Sequence, residues 1–479
     1  MDNAKSLGRG ALYNFAARAV LVLTGYATAA VLARKLGPEQ YGIYGVVTSL
    51  VFVVTVVLMT GIEQTTSKFI SEKPKDAKAI SYQMLKLQIG IGVAATIAYF
   101  LLSEPLATVL NDKSLVPYIR YTSLLIIFQS LFSVFTGYLN GLKKFKQQSL
   151  LNISYSVIKA ILVIGFVLAG YSVVGALAGF VLSTAIGLGI SFLLFSPGRH
   201  EPVTTNKKIL GFGVPIVLFS SITILLMNID LFFVKALSQA SLANRLSGLY
   251  TAALLLSRGP YYIVTAITIT IFPLISEFAY RKKQKELENY TKKSLDYLLI
   301  AITFIVFIVA STSSDVIRLI YGTDYTTAGP ALTILSFGGG LFAVFLLLAT
   351  IISASGRPKH SFLIGAGCLA VDFALNMVLV PRYQLVGAAI ANTTSMLIAV
   401  IAGIYYIKKK FGIAVISRRS ILTIITGIII MGLSIVLPFS GILLILKYTF
   451  LGILYAGILY ALKILDSRDL AFAKRIIKN

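Results

Sequence analysis

Long uninterrupted apolar runs, separated by short polar segments, dominate the chain. A helix needs about 20 apolar residues to cross the ~30 Å hydrocarbon layer of a bilayer, and many of these runs are that long. The apolar positions are continuous rather than alternating, which excludes the strand pattern of a membrane barrel. Since backbone polar groups in lipid must bond within their own segment, each run is predicted to be helical. The pattern predicts an all-α polytopic membrane protein.

About fourteen transmembrane helices are predicted when hydropathy is averaged over windows of ~19 residues. The apolar tract 261–276 allows a different division. The approximate ranges are 11–34, 42–64, 80–102, 115–140, 150–170, 173–196, 208–233, 246–275, 293–311, 328–353, 360–380, 384–407, 418–437 and 441–464.

Lys and Arg residues alternate between the polar segments, and this orients the helices because basic residues of short loops stay on the cytoplasmic side. With the N-terminus inside, 30 of the 43 Lys and Arg lie in cytoplasmic segments, nine on the other side and four within spans. An odd number of spans would break this alternation. We therefore expect a multi-pass protein of the cytoplasmic membrane with both termini in the cytoplasm. The opening "MDNAKSLGRG" leads directly into a full-length span, so the start is predicted to be an anchor without a cleavable signal peptide.

Composition agrees with this class. Hydrophobic residues make up 57% of the 479 positions and charged residues 13%, whereas soluble domains carry about 25% charged residues. The net charge of +25 is spread over many short loops, which favours roles in topology and anionic-lipid contact over nucleic-acid binding. The single cysteine, Cys368, lies in an apolar run and is interpreted as a packing residue.

Three pairs of similar stretches indicate an internal duplication. Because the pairs follow one another in the same order, they predict two homologous six-helix lobes at 1–200 and 201–412, followed by two additional helices and a cytoplasmic tail at 413–479. An even number of helices between the copies makes the repeats parallel. The pairs are "GIYGVVTSLV" at 42–51 with "GLYTAALLLS" at 248–257, "GLKKFK" at 141–146 with "GRPKHS" at 356–361, and "YSVVGALAGF" at 171–180 with "YQLVGAAIAN" at 383–392.

Three stretches carry a family resemblance: "LARKLGPEQYGIYGVVTSL" at 32–50, "NIDLFFVKAL" at 228–237 and "NMVLVPRYQLVGAAIAN" at 376–392. Through them the chain resembles the polysaccharide and lipid-linked oligosaccharide flippases of the multidrug/oligosaccharidyl-lipid/polysaccharide exporter superfamily. With the span count, the resemblance extends over essentially the whole chain. It implies two six-helix lobes around a central cavity that opens alternately to either side, often with two extra C-terminal helices.

Arg258 is the first candidate for a substrate contact. It lies about 12 residues into its predicted helix, hence roughly 18 Å from the end and near the bilayer midplane. An arginine at that depth costs roughly 2.5–3.5 kcal/mol on insertion scales, so it should face water, a partner or an anionic ligand. Tyr261 and Tyr262 follow on the same face, and Gly259-Pro260 should loosen the helix. Arg258 is interpreted either as a cavity cation for phosphate or as one half of a structural ion pair.

Arg18 shares a helix face with Asn14 about two turns from the cytoplasmic end, where its side chain could equally reach the interface. The resemblance favours substrate binding, because the related lipid II flippases carry cavity arginines on their first and eighth helices. Lys159 lies in the middle of the fifth predicted helix, at nearly the repeat position of Asp372, which is followed one turn later by Asn376. These residues either pair or line the transport path.

Asp230, in the "NID" stretch, is a candidate for cation binding, with helix-end packing as the alternative. Coupling of transport to Na⁺ or H⁺ through Asp230, Asp372 or Asn376 therefore stays open. No phosphate-binding loop of the Gly-x-x-x-x-Gly-Lys-Ser/Thr type occurs, and no Cys/His cluster has the spacing of a zinc site. We expect neither a resident cofactor or metal nor a catalytic constellation, hence a protein that is not an enzyme.

The resulting hypothesis is a secondary transporter that flips polyprenyl-pyrophosphate-linked oligosaccharide to the outer leaflet for cell-surface polysaccharide or glycan assembly. Its expected partners are that substrate, membrane lipids, and the glycosyltransferases and polymerase of the same pathway, and it is expected to act as a monomer. The alternative is a cation-coupled multidrug exporter of the same superfamily. Organic cations favour intramembrane carboxylates, but the first predicted helix contains Arg18 and no acidic residue. An integral glycosyltransferase would need a catalytic acid or base and long external loops.

Overall fold

The computed structural model describes residues 2–195, 203, 205–439 and 441–465, and side chains for these residues except 2–12, 14, 15 and 194. Over this part of the chain the structure is helical, with three short 3₁₀ turns and no strand. The helices are α1 (Asp2–Glu72), α2 (Ala77–Leu101), α3 (Ser103–Val109), α4 (Val116–Thr122), α5 (Leu124–Gly141), α6 (Phe145–Leu168), α7 (Ser172–Leu194), α8 (Asn206–Leu226), α9 (Ile229–Leu237), α10 (Ala240–Ser257), α11 (Gly259–Tyr280), α12 (Gln284–Ser311), α13 (Ser313–Tyr321), α14 (Gly329–Ala354), α15 (Pro358–Phe411), α16 (Arg418–Val436) and α17 (Leu443–Ala461).

Twelve segments of the described residues are long and apolar enough to cross a membrane. Two of them, Ala16–Glu72 with 57 residues and Pro358–Phe411 with 54, exceed twice the ~20 residues of one crossing. Each contains a non-helical residue, Gly37 (φ 71°, ψ 170°) or Gln384 (φ 48°, ψ −122°). The all-helical, membrane-spanning class is confirmed, whereas the count of fourteen stays a prediction. We call the parts of α1 and α15 on either side of these residues their first and second arms.

Backbone conformation at the Tyr-x-x-Val-Gly-Ala repeat supports the proposed duplication. Ser172 and Gln384 are 212 positions apart, and both have positive φ, 53° and 48°. At each place the chain reverses direction, and a glycine three residues later allows the following helix to pack against the preceding one. A Cβ atom at Gly387 would overlap the carbonyl oxygen of Leu379, and one at Gly175 would lie 3.2 Å from that of Phe166. The shared Gly therefore serves a tight helix reversal.

The helices form two compact units. The first comprises the described residues up to Asn228 together with Gln239–Gly248, and the second comprises Ile229–Ser238 together with the described residues from Leu249 onward. The predicted divisions near residues 200 and 412 stay predictions.

A core of aliphatic and aromatic side chains holds the first unit together. α2 contributes Ile80 and Met84, and α5 contributes Phe132 and Phe135, all of them buried. In lipid, burial of these side chains stabilises the unit through close packing rather than through exclusion of water.

The two last helices are anchored to α12 in the second unit. Ile430 of α16 and Tyr455 of α17 join a buried cluster with Ile308 of α12. At the start of α16, the hydroxyls of Ser417 and Ser420 each donate a 2.6 Å hydrogen bond to Oδ1 of Asp296. Ser417 is also the N-cap of α16, so Asp296 fixes the entry point of this helix.

Candidate functional site

Four buried side chains of the second unit form a hydrogen-bonded group, which we call the acid–amide cluster: Asp230, Asp372, Asn376 and Asn392. The amide nitrogen of Asn376 donates to Oδ1 of Asp230 over 2.9 Å, and the amide nitrogen of Asn392 donates to Oδ2 over 2.7 Å. Asp230, Asp372 and Asn376 have no exposed surface, and Asn392 is 8% exposed. The cluster thus holds two carboxyl groups inside an apolar helical unit.

Helix geometry explains how these residues meet. Asp372 and Asn376 are four residues apart and therefore share one face of the first arm of α15, where Asn376 also donates to the Asp372 carboxylate over 3.2 Å. The reversal at Gln384 returns the chain, so that Asn392 on the second arm reaches the same point. α9 supplies Asp230 from a neighbouring helix.

Not every polar atom of the cluster is satisfied. Oδ2 of Asp372 and Oδ1 of Asn376 are buried, and neither has a hydrogen-bond partner among the described residues. Buried oxygens without a donor, next to a second carboxyl group, create a strong demand for positive charge. Oxygen ligands of this kind suit a hard cation or a proton. Groups of three or more His, Cys, Asp and Glu suited to a metal are absent from the described part of the chain.

Sequence reasoning identified Asp230 on one helix and Asp372 and Asn376 on another. The structure brings the three residues together. It missed Asn392 and Tyr250. Asn392 closes the stretch "YQLVGAAIAN", where an amide in an otherwise apolar run was the available signal. Tyr250, in the repeated "GLY" stretch, is fully buried and interacts with the Asp230 carboxyl group.

Arg258 lies at an interruption between two helices. α10 ends at Ser257 and α11 begins at Gly259, with Arg258 as the N-cap residue at φ −79° and ψ −1°. The loosening expected from Gly259-Pro260 is present, because Pro260 in the first turn cannot donate a backbone hydrogen bond. The side chain of Arg258 is half-buried.

Two tyrosines lie in the electrostatic field of Arg258. One is Tyr262, predicted as a neighbour on the same helix face, and the other is Tyr250. Tyr250 also lies within electrostatic range of Asp230, so its side chain is near both the acid–amide cluster and the arginine. In the second unit, the acid–amide cluster attracts cations and Arg258 attracts anions, and Tyr250 lies near both.

In the first unit, Arg18 is exposed on α1 and interacts electrostatically with Glu63 of the same helix. Oε1 of Glu63 accepts a 3.3 Å hydrogen bond from the amide of Gln148. The side chain of Asn14, predicted to share the face of Arg18, lies outside the described residues.

Lys159, also in the first unit, is surrounded by aromatic rings rather than by carboxylates. Its Nζ lies 5.0 Å from the ring centroid of Phe180 and 5.7 Å from that of Tyr155. Distances below about 6 Å are typical of cation–π contacts. By the 212-residue repeat, Phe180 corresponds to Asn392, and Lys159 lies next to the equivalent of Asp372. One half thus has its own ammonium group where the other half has carboxyl and amide groups.

Comparison with known proteins decides the family. A profile described as "Polysaccharide biosynthesis protein" matches residues 31–330, which is more than half of the chain. The chain belongs to the polysaccharide biosynthesis protein family. The resemblance predicted from the three sequence stretches is thereby confirmed.

Among individual relatives, the "Stage V sporulation protein B" of Bacillus subtilis is 24% identical over 85% of this chain and 84% of its own length. The "Probable low-salt glycan biosynthesis flippase Agl15" of Haloferax volcanii is 20% identical over 41% of each chain. The "Uncharacterized membrane protein MJ1068" of Methanocaldococcus jannaschii is 27% identical over 35% of this chain, and the match spans only 33% of that relative's length.

Solved structures show the fold. The "Lipid II flippase MurJ, inward closed conformation" superimposes with a TM-score of 0.75 over 95% of this chain and 100% of its own, at 15% identity. An inward-facing multidrug resistance MATE family transporter gives a TM-score of 0.64 over 81% of this chain and 95% of its own, at 16% identity. The chain therefore has the fold that these two proteins share.

Proposed function

We propose that the protein is a flippase that moves polyprenyl-pyrophosphate-linked oligosaccharide from the cytoplasmic to the outer leaflet by alternating access, in the assembly of a cell-surface polysaccharide or glycan. Membership of the polysaccharide biosynthesis protein family and similarity to the glycan flippase of Haloferax volcanii support this substrate class. In this proposal the protein lies in the cytoplasmic membrane with both termini inside, acts as a monomer, and has no enzymatic activity. Glycosyltransferases and a polymerase of the same pathway make and consume its substrate.

One observation carries the proposal: the guanidinium group of Arg258 lies in the middle of a 41-residue apolar segment, Ala240–Tyr280. Arginine there is costly unless it faces water, a partner or an anion, and guanidinium binds phosphate oxygens through two parallel hydrogen bonds. Arg258 is therefore proposed to hold the pyrophosphate, with Tyr262 beside it as a hydrogen-bonding neighbour for phosphate or sugar. Arg18, Asn14 and Lys159 of the first unit are proposed as further polar contacts along the substrate path.

The acid–amide cluster is proposed to bind the coupling cation, Na⁺ or H⁺. Its two carboxyl groups and its unsatisfied oxygens, on Asp372 and Asn376, supply the negative charge and the ligand atoms. Tyr250 lies within electrostatic range of both this site and Arg258, so the two sites are near each other. Loading of the cation would then make the potential around the arginine more positive and favour binding of the anionic substrate, and loss of the cation would favour its release.

Proteoliposomes that contain defined lipid-pyrophosphate oligosaccharide in one leaflet test the function. We expect Arg258→Ala to abolish translocation and Arg258→Lys to retain part of it, because lysine keeps the charge and loses the bidentate geometry. Arg281→Ala is the matched control, since Arg281 forms only an exposed 3.2 Å ion pair with Glu277. Unchanged flipping by Arg258→Ala would refute the site, and preferential export of organic cations would favour a multidrug exporter instead.

A further inference from the structure

Two helices of the first unit touch through their backbones at Gly42, on the second arm of α1, and Gly248, on α10. A Cβ atom at Gly42 would overlap the carbonyl oxygen of Asn244 and lie 2.8 Å from the backbone nitrogen of Gly248. A Cβ atom at Gly248 would overlap the carbonyl oxygen of Pro38 and lie 3.0 Å from the backbone nitrogen of Gly42. Only a hydrogen atom fits at either position, so each glycine points a Cα–H group at a carbonyl of the other helix.

The contact is reciprocal with respect to the sequence duplication. Gly42 and Gly248 are equivalent residues of the two halves, 206 positions apart, and Pro38 and Asn244 are separated by the same interval. Each half therefore offers the same glycine and the same carbonyl, four residues earlier, to the other half. Equivalent residues meet in this way only on a two-fold axis, as they do in a symmetric dimer interface.

Burial is concentrated at this crossing. Tyr41 is 2% exposed, Ser247 is 0% exposed, and the following Gly248 is buried as well. The preceding residues Glu39 and Arg245, again 206 positions apart, are exposed. The distribution of Lys and Arg predicts that these helix ends face the outside of the cell, so the crossing closes the predicted outer side.

We propose that the four residues Pro38, Gly42, Asn244 and Gly248 form a glycine latch that holds the predicted outer ends of α1's second arm and α10 together and separates once in every transport cycle. This inference rests on the proposed function, because alternating access requires the outer side to open. The latch suits repeated opening, because at the two glycines the helices meet through backbone atoms and weak Cα–H contacts. A methyl group on either glycine would wedge the helices apart and shift the population toward the open outer side.

Distance measurement by pulsed electron paramagnetic resonance tests the latch directly. In a Cys368→Ala background, spin labels are attached at Glu39→Cys and Arg245→Cys, next to the latch on its exposed side. We expect a single short distance in the parent and an additional longer population in Gly42→Ala and Gly248→Ala. Gly165→Ala on α6 is the control, because a Cβ atom there meets nothing within 4 Å, and it should match the parent. Parent-like distances in both latch variants would overturn the proposal.

A second experiment keeps the native glycines and so does not depend on how the alanine variants fold. Joining the Glu39→Cys/Arg245→Cys pair with a short bis-methanethiosulfonate cross-linker should abolish flipping in proteoliposomes, and reductant, which cleaves the cross-link, should restore it. Undiminished flipping by the cross-linked protein would also overturn the latch. If the alanine variants shift the distances but the parent translocates no lipid-linked oligosaccharide, the proposed function fails and the latch stands.

Discussion

The amide nitrogen of Asn376 lies 2.9 Å from Oδ1 of Asp230, although 146 positions separate the two residues in sequence. This hydrogen bond joins α9 to α15 in an apolar interior, where leaving a carboxylate oxygen unpaired is costly. It also places Asp230 beside Asp372, to which Asn376 donates as well. The pair of carboxyl groups creates the requirement for a cation on which the coupling proposal depends.

Replacing Asp230 by Asn should remove or weaken the response of the protein to its coupling cation. Ligand binding to the folded state alone stabilises by about 2.7 kcal/mol at 100 times Kd, so the parent should melt at a higher temperature in NaCl than in N-methylglucamine chloride. If the ligand is a proton, parent stability should instead fall as pH rises, because deprotonation leaves two adjacent carboxylates. Asp230→Asn should abolish the sodium response, or, if the ligand is a proton, weaken the pH response, because Asp372 remains as a buried carboxyl group.

The exposed Asp324 provides the control for that measurement, and Asp324→Asn should respond as the parent does. A parent with neither a sodium nor a pH response would contradict cation binding in the cluster. Melting curves in detergent at constant ionic strength are sufficient to decide between these outcomes.

Lys159→Met should weaken both stability and flipping. The substitution preserves most of the side-chain volume but removes the ammonium group from the rings of Phe180 and Tyr155, a contact worth about 0.5–2 kcal/mol. Lys409→Met is the matched control, since its Nζ lies 5.6 Å from the exposed ring of Tyr405. If flipping falls while the melting temperature is unchanged, Lys159 contacts the substrate; if neither changes, both roles are excluded.

Asp296→Ala should loosen the attachment of the last two helices. It removes the acceptor of the Ser417 and Ser420 hydroxyl hydrogen bonds, and a hydrogen bond to a charged group contributes about 1.5–3 kcal/mol. Hydrogen exchange should accelerate at residues 412–420 and stay unchanged in α5. Unaltered exchange at the start of α16 would show that the cluster around Tyr455 and Ile308 is sufficient to hold it.

Gly387→Ala should destabilise the second unit, because the added methyl group would overlap the carbonyl oxygen of Leu379 at the helix reversal. Overpacking of this kind typically costs about 1–3 kcal/mol. Gly367→Ala on the same helix meets nothing within 4 Å and should be neutral or stabilising by up to about 1 kcal/mol, since alanine favours helix. Equal melting temperatures for the two variants would contradict the packing role of the repeated glycine.

The sequence indicates individual candidate residues where a charged group lies within an apolar helix. Arg258, Asp230 and Asp372 stand out in the sequence because charged groups are expensive inside apolar helices. Tyr250 and Asn392 did not stand out, since tyrosine and asparagine occur in many environments and neither carries a charge. Their importance follows from position alone: a helix reversal returns Asn392, and a separate helix brings Tyr250 to Asp230.

The two glycines show the same limit of prediction from sequence. Equivalent glycines at 42 and 248 were visible as a repeat, but nothing in their spacing indicated that they touch each other. Contact between them depends on how two distant helices cross.

The sequence by itself determined the helical membrane class and the family and predicted the duplication, because apolar run length, repeat spacing and family motifs are properties of consecutive residues. Only the tertiary structure decided that Asp230, Asp372, Asn376 and Asn392 share one buried cluster, that Lys159 faces aromatic rings, and that Gly42 meets the helix of Gly248. Those relationships arise from helix reversals and crossings between segments far apart in the chain, and packing of whole helices sets them.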